Sequence, residues 1–283
     1  METLAHVGGR ILPLKDVTVS AMDRGFLFGD AVYEVMRVYG GKAFLADEHF
    51  ARLARSLELI RIAGADVPGL RRRMVETIAA GPFREAIVYI QVTRGAAPRS
   101  HAFPKDVKPF ELLYVQEFHD SYLEGRQHGA PAITQPDIRW DLCEIKSTNL
   151  LPNVLALQKA KEAGCIEALL VLPDGHMSEG THTSFFAVLD GVLRTAPKSP
   201  LILPGCTRDL VIRLAKQQGI PFLEEAISVD HLGRISELFL SGTTSEVLPI
   251  TKIDGKNVGG GKPGQIARVL QTEYAKAVAE SQK

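Results

Sequence analysis

The sequence predicts a two-domain protein of mixed α+β and α/β class, and three observations carry that expectation. The chain has 283 residues, long for one hydrophobic core and comfortable for two. Apolar residues recur with period 2 in some segments and with helical period in others, along the whole chain. Strands and helices do not alternate as regularly as in a doubly wound parallel sheet, and the sequence contains no Gly-rich phosphate loop of the Walker or Rossmann kind.

The first domain is expected over residues 1–118. Val32–Tyr39 is rich in β-branched and aromatic residues, Gly40-Gly41 follows, and Lys42–Leu45 returns as a second strand, which together read as a hairpin. From Asp47 the period changes: Phe50, Leu53, Leu57 and Ile60 mark one helix face, with Asp47 as the expected N-cap. Leu70–Ala80 reads as a second helix, and Ala86–Thr93 and Phe110–Glu117 read as strands. The polar, Gly-containing stretch from Phe118 to Pro131 is the candidate linker, centred on residues 119–131.

The second domain is expected over residues 132–283. It opens with a strand-like Ala132–Thr134, then a helix over Leu151–Ala163 and a strand over Ala168–Leu172, with Asp174-Gly175 as a hairpin turn. Strands at Ser184–Leu189 and Val192–Thr195, a helix at Thr207–Gln218, and strands at Pro221–Glu224, Glu237–Leu240 and Glu246–Ile253 follow. A terminal helix begins after Gly264. This order fits two domains built on antiparallel or mixed sheets.

Composition narrows the function classes. Hydrophobic residues make up 45% and charged residues 23%, as in an ordinary soluble globular protein. Lys+Arg and Asp+Glu both total 33, so nothing points to nucleic acid or an anionic membrane. Cys143, Cys165 and Cys206 are too scattered for a disulfide framework or a metal site, which points to a reducing compartment. No basic run with an apolar core opens the chain and no apolar run is long enough to span a bilayer, so a cytoplasmic protein is expected.

Several segments could carry chemistry. Lys146 ends the run Ile138-Arg139-Trp140-Asp141-Leu142-Cys143-Glu144-Ile145. If that run is a strand, Ile138, Trp140, Leu142 and Lys146 share an apolar face. A lysine there is either an amine nucleophile suited to Schiff-base chemistry or a strand-end residue that snorkels, and the segment alone leaves both open. Glu179 lies in Ser178-Glu179-Gly180-Thr181-His182-Thr183-Ser184, a hydroxyl-rich run that suits a polar ligand or an ordinary loop. Gly205-Cys206-Thr207 opens a helix, and Ser241-Gly242-Thr243-Thr244-Ser245 turns between two strands; both types of backbone attract anions. In Arg94–Pro104, Arg99 and His101 flank Ser100, so the segment is either a solvated basic loop or a pair of donors that reach one carboxylate.

In their order along nearly the whole chain, these segments resemble the fold-type IV pyridoxal-phosphate-dependent aminotransferases, in particular the D-amino-acid aminotransferase type. The resemblance also covers Asp23–Asp30, Val32-Tyr33-Glu34-Val35 and Thr207-Arg208-Asp209. It implies that Lys146 carries pyridoxal 5'-phosphate as a Schiff base and that Glu179 faces the pyridine nitrogen. It implies that Arg52, Thr207, Thr243 and Thr244 bind the phosphate, and that Tyr33, Arg99 and His101 hold the substrate carboxylate. Tyr89 and Arg139 match positions near the site. It further implies a homodimer in which Arg99 and His101 serve the other subunit. The substrates would be an amino acid and a 2-oxo acid, with no metal. The family type often has a run of serines and then asparagine after the Glu-Gly pair; here stand Thr181, His182, Thr183 and Ser184, which put a titratable ring there. The rival activities are a branched-chain L-amino-acid aminotransferase, an (R)-selective amine transaminase and an aminodeoxychorismate lyase. Arg99 and His101 favour the D-amino-acid type.

Overall fold

The structure, a computed structural model, describes residues 2–283. The chain forms two compact units. The first runs to His119 and takes in Ile145–Asn149 and Ser281–Lys283; the second comprises Asp120–Glu144 and Leu150–Glu280.

In the first unit, strands β1 (Leu4–Val7), β2 (Arg10–Pro13), β3 (Ala31–Tyr39), β4 (Lys42–Ala43), β5 (Ala86–Thr93) and β6 (Phe110–Glu117) make one antiparallel sheet in the order β2-β1-β6-β5-β3-β4. The helices are α1 (Arg24–Phe28), α2 (Ala46–Leu59) and α3 (Val67–Ala79). Alternation sorts β5 cleanly: Ala86, Val88, Ile90 and Val92 are buried, while Ile87, Tyr89 and Gln91 are half-buried on the other face. The buried face joins Phe50, Leu53 and Leu57 of α2 and Leu70, Met74 and Ile78 of α3 in one core.

Several expectations shift here. The return strand of the first hairpin is only Lys42–Ala43, because Leu45 takes a left-handed φ of 53° and leads into α2. Asp47 is therefore not the N-cap; it lies in the first turn, where its charge still favours the helix dipole. The next helix begins earlier than expected, at Val67, because the Asp66 carboxylate caps Gly69 N–H at 2.9 Å and Pro68 suits the first turn.

The second unit contains helices α4 (Leu123–His128), α5 (Leu151–Glu162), α6 (Cys206–Gln217) and α7 (Gln265–Ser281). Its strands are β7 (Ala130–Pro136), β8 (Glu167–Val171), β9 (His176–Gly180), β10 (Ser184–Leu189), β11 (Val192–Thr195), β12 (Phe222–Glu224), β13 (Ile227–Ser228), β14 (Ile235–Gly242), β15 (Glu246–Ile253) and β16 (Lys256–Asn257). They form a mixed sheet in the order β12-β11-β10-β14-β15-β7-β8-β9-β13, with β16 on β15. The parallel pairs are β7 with β8, β7 with β15 and β11 with β12. Strand β10 is buried along its whole length: Phe185, Ala187 and Leu189 enter a core with Leu238, Leu240 and Ile250, while Phe186 stacks on Phe239 with ring centres 5.1 Å apart.

Within Phe118–Pro131 lie helix α4 and the start of β7, so this polar stretch is largely structured. The strand expected over residues 138–146 does not form. Ile138, Trp140 and Leu142 are 68%, 41% and 45% exposed, so the apolar face expected to carry Lys146 does not exist. Among the described residues no helix is long and apolar enough to cross a membrane.

Candidate active site

Lys146 is held by the first unit. The segment Ile145–Asn149 lies along the start of β3: Tyr33 N–H donates to the Lys146 carbonyl at 2.9 Å, Thr148 N–H donates to the Ala31 carbonyl at 3.2 Å, and Ser147 bridges to Val32. Ile145 is buried in the core beneath. On the other side, Gly29 closes α1 with φ 66°, and a Cβ there would stand 2.3 Å from Asn149 Oδ1. The Lys146 side chain is half-buried, and its Nζ lies 4.3 Å from the centre of the Tyr33 ring. Tyr33 stacks on Tyr89, and Tyr89 on Tyr114, across β3, β5 and β6. Burial pushes the Tyr89 hydroxyl well above its ordinary range, and that hydroxyl donates to Gln91 Oε1 at 2.6 Å.

On the opposite face of β3, Glu34 is wholly buried. Arg52 of α2 grips both its oxygens, Nε to Oε1 at 2.7 Å and Nη2 to Oε2 at 2.8 Å, and His49 Nδ1 meets Oε2 at 2.7 Å. Burial alone raises a carboxyl, but Arg52 and His49 outweigh it and hold Glu34 well below the usual range. Burial pushes His49 down; the Glu34 carboxylate opposes this, and the Arg52 and Lys146 charges add to it. The Arg52 guanidinium, expected to bind the phosphate, thus commits Nε and Nη2 to Glu34.

Arg99 and His101 are brought together. The Arg99 guanidinium lies 5.3 Å from the Phe28 ring, and the His101 ring meets the same ring edge-on at 5.5 Å. Both side chains are exposed.

The second unit holds Glu179 on β9, next to a hairpin turned by Asp174-Gly175 with Gly175 at φ 86°. Its carboxylate is buried. Arg139 Nη1 donates to Oε1 at 2.5 Å, and Leu203 N–H donates to both oxygens at 3.2 Å. Arg139 is itself fixed by Asp137, Nε to Oδ1 at 2.9 Å and Nη2 to Oδ2 at 2.7 Å. Ser178 Oγ donates to the same Asp137 Oδ2 at 2.6 Å. Burial pushes Glu179 up, while Arg139 and Leu203 pull it back. A cation placed beside Oε2, which accepts only from Leu203 N–H among the described residues, would stabilise its charged form further. Asp137 and Leu203 are not legible as site residues in the sequence; the only signal is Asp137-x-Arg139, an acid one residue removed from the arginine it pins. Cys143 is no rival nucleophile, because burial pushes its thiol up to about 12.

Three short segments converge in this unit. A Cβ on Gly242 would lie 2.7 Å from Ser245 Oγ and 3.4 Å from Thr183 Cγ2, and one on Gly205 would lie 3.0 Å from Ser184 Oγ. Thus Gly205 before α6 and Gly242 before the β14–β15 turn both pack against the segment after Gly180, at Ser184 and Thr183. Thr207 is buried in the first turn of α6, where helix N–H groups lack intrahelical acceptors. Thr243 and Thr244 lie in the β14–β15 turn. Ser241 Oγ and Ser245 Oγ are buried with no hydrogen-bond partner among the described residues. Buried hydroxyls without partners beside a helix N-terminus suit a phosphate.

His182 turns both ring nitrogens to its own unit. Nδ1 lies 3.0 Å from Glu167 Oε2 and from Thr181 Oγ1, and Nε2 lies 3.1 Å from the Tyr122 hydroxyl. Glu167, wholly buried, also accepts from Thr183 Oγ1 at 2.9 Å and Ala168 N–H at 2.8 Å.

Residues 31–253 match the model of the amino-transferase class IV family. A D-alanine aminotransferase of Staphylococcus epidermidis is 41% identical over 281 residues, 98% of either chain. One of Bacillus licheniformis is 39% identical over 271 residues, 95% of either chain. Among solved structures, the branched-chain aminotransferase of the thermophilic archaeon Thermoproteus uzoniensis, with norvaline, superposes with a TM-score of 0.90 at 25% identity, covering 99% of this chain and 96% of that one.

Proposed function

Because the chain belongs to the amino-transferase class IV family, we propose that it moves an amino group from a D-amino acid such as D-alanine to a 2-oxo acid such as 2-oxoglutarate, with pyridoxal 5'-phosphate as cofactor. The observation that carries the chemistry is the buried Glu179 carboxylate, clamped by Arg139 at Oε1 and by Leu203 N–H at both oxygens, a held negative charge suited to a cationic ring nitrogen. The D-amino-acid assignment rests on the two curated relatives and on the paired Arg99 and His101.

Pyridoxal phosphate, when bound, supplies an electron sink for the pair left as the substrate Cα loses its proton. The chain's own residues do the rest. Lys146 Nζ would hold the cofactor covalently and, when its amine is free, would take the Cα proton as general base and give it back as general acid. Glu179 keeps a negative charge beside the protonated ring nitrogen. Arg52, Thr207, Thr243 and Thr244 bind the phosphate, with Ser241 and Ser245 as further donors. Tyr33 supports Lys146 and, with Arg99 and His101, orients the substrate carboxylate. The reading includes a cytoplasmic homodimer in which the Arg99–His101 loop of one copy serves the other.

The test presents D-alanine, L-leucine, (R)-1-phenylethylamine and aminodeoxychorismate separately to the holoenzyme and identifies the products. Pyruvate from D-alanine, one equivalent per active site without an acceptor and continuous only with an acceptor oxo acid, is the expected result. Preference for L-leucine would replace the D-type assignment with a branched-chain activity like that of the Thermoproteus uzoniensis relative.

A further inference from the structure

Arg24 has no role in the reading above, yet it is among the most buried charged residues of its unit, only 3% exposed. Its Nε donates to Asp30 Oδ2 at 2.8 Å. The remaining guanidinium edge meets no acid. Nη1 donates to the Ser100 carbonyl at 2.5 Å and to the Ala102 carbonyl at 3.4 Å, and Nη2 donates to the His101 carbonyl at 3.2 Å. Three consecutive loop carbonyls thus converge on one planar cation that also serves Asp30, four acceptors that the five-donor fork of an arginine can satisfy together and the three donors of a lysine ammonium cannot.

The same guanidinium lies 4.9 Å from the centre of the Phe28 ring, the ring that also receives Arg99 and His101. Both ends of the segment are fixed as well. Arg24 N–H donates to the Gly95 carbonyl at 3.0 Å, and the Arg94 guanidinium grips both oxygens of Asp30 while lying 3.7 Å from the Phe103 ring centre. Asp30 therefore joins Arg24 and Arg94, and a largely buried ion network underlies an exposed loop that carries Arg99 and His101. A loop of this kind would otherwise sample many conformations, and donors aimed in advance bind an anion better than donors ordered on binding.

We propose that Arg24 is the positioning residue of the substrate-carboxylate clamp: by holding the Ser100, His101 and Ala102 carbonyls it aims Arg99 and His101 at one anion. The proposal rests on the role given to Arg99 and His101 above.

The experiment compares holoenzymes of wild type, Arg24→Met, Arg24→Lys, Arg99→Ala and the double variant Arg24→Met/Arg99→Ala, with D-alanine and with (R)-1-phenylethylamine in single-turnover and steady-state assays. Arg24→Met is expected to raise KM for D-alanine about tenfold while kcat, and kcat/KM for the amine, stay within about twofold. The double variant should lose less than the product of the two single losses, since both residues act through the same clamp. Arg24→Lys keeps a cation for Asp30 and gives up the fork, so it tests the idea even if Arg24→Met does not fold; it should show the same selective loss. Independently, amide exchange across residues 95–104 of the cofactor-free protein should quicken in both Arg24 variants, with the sheet unchanged. Equal losses on both donors, losses that multiply in the double variant, a wild-type KM in Arg24→Lys, or unchanged exchange would each overturn the proposal. If Arg99→Ala is not selective for D-alanine, the carboxylate reading falls and the proposal with it; if Arg99→Ala is selective and the Arg24 variants are not, the proposal alone falls.

Discussion

Lys146 and Tyr33 are tied twice: Tyr33 N–H donates to the Lys146 carbonyl at 2.9 Å, and Lys146 Nζ lies 4.3 Å from the centre of the Tyr33 ring. The backbone bond fixes where the lysine leaves the chain, and the ring limits where its amine can go. Borohydride reduction of the holoenzyme followed by peptide mapping is expected to place the cofactor on Lys146. Lys146→Ala should bind the cofactor weakly through the phosphate contacts and lose turnover. A label on any other lysine ends this assignment. Tyr33→Leu should leave the label in place, because the backbone tie survives, and slow the half-reaction.

Glu179→Gln keeps the shape of the side chain and removes its charge. Arg139 would then face Asp137 alone and the ring nitrogen would lose its carboxylate, so the single-turnover half-reaction with D-alanine should slow by about a hundredfold or more, equivalent to about 3 kcal/mol. An unchanged single-turnover rate would refute the role. Arg139→Met tests the clamp from the other side. It strands a buried carboxylate, so the cofactor-free protein should lose about 3–5 kcal/mol of stability in urea at pH 7.

Much of this architecture is legible in the sequence. Periodicity marks the β3, β5 and β6 strands and the buried face of α2, because one-sided burial leaves an alternating or helical stripe. The segment before Lys146 misleads for the same reason: Ile138, Trp140 and Leu142 alternate as in a strand, yet they are exposed, and hydrogen bonds from Tyr33 and Thr148 rather than an apolar face hold the lysine segment. The Asp137–Arg139–Glu179 and Glu34–Arg52–His49 networks are invisible as networks, since their members are 42 and 18 residues apart at the extremes and only folding sets them at hydrogen-bond distance. Arg24 is unremarkable in the sequence because its partners, the carbonyls of Ser100 to Ala102, carry no side-chain signature at all.

The Glu34–Arg52 pair makes a prediction about acid stability. Arg52 and His49 hold the folded Glu34 carboxyl below its ordinary value of 4.5. A carboxyl depressed in the folded state stabilises the protein above its unfolded value and loses that contribution as pH falls toward the folded one. In the cofactor-free protein, Arg52→Met should therefore cost about 3–5 kcal/mol at pH 7, and the gap from wild type should shrink as pH drops below 4.5. Urea midpoints measured from pH 7 downward report it. A gap that stays constant with pH would mean that Arg52 contributes packing rather than charge.

Ser241 Oγ and Ser245 Oγ lead to a prediction of opposite signs in one variant. Both hydroxyls are buried without a partner among the described residues, and Ser245 is 0% exposed. Leaving a buried donor unsatisfied costs about 1–3 kcal/mol. Ser245→Ala removes that donor, so the cofactor-free protein should become more stable, or at worst no less stable, although a side chain has been truncated. If the hydroxyl instead donates to the cofactor phosphate, its loss removes a hydrogen bond to a charged group, about 1.5–3 kcal/mol, and the cofactor Kd should rise about ten- to 150-fold. Thermal unfolding with and without pyridoxal 5'-phosphate, together with a cofactor titration, gives both numbers from the same preparation. A variant that is less stable without cofactor and binds it as tightly as wild type would show that Ser245 serves the β14–β15 turn and not the phosphate. A variant more stable without cofactor and weaker toward it ties the orphaned hydroxyl to the ligand that satisfies it.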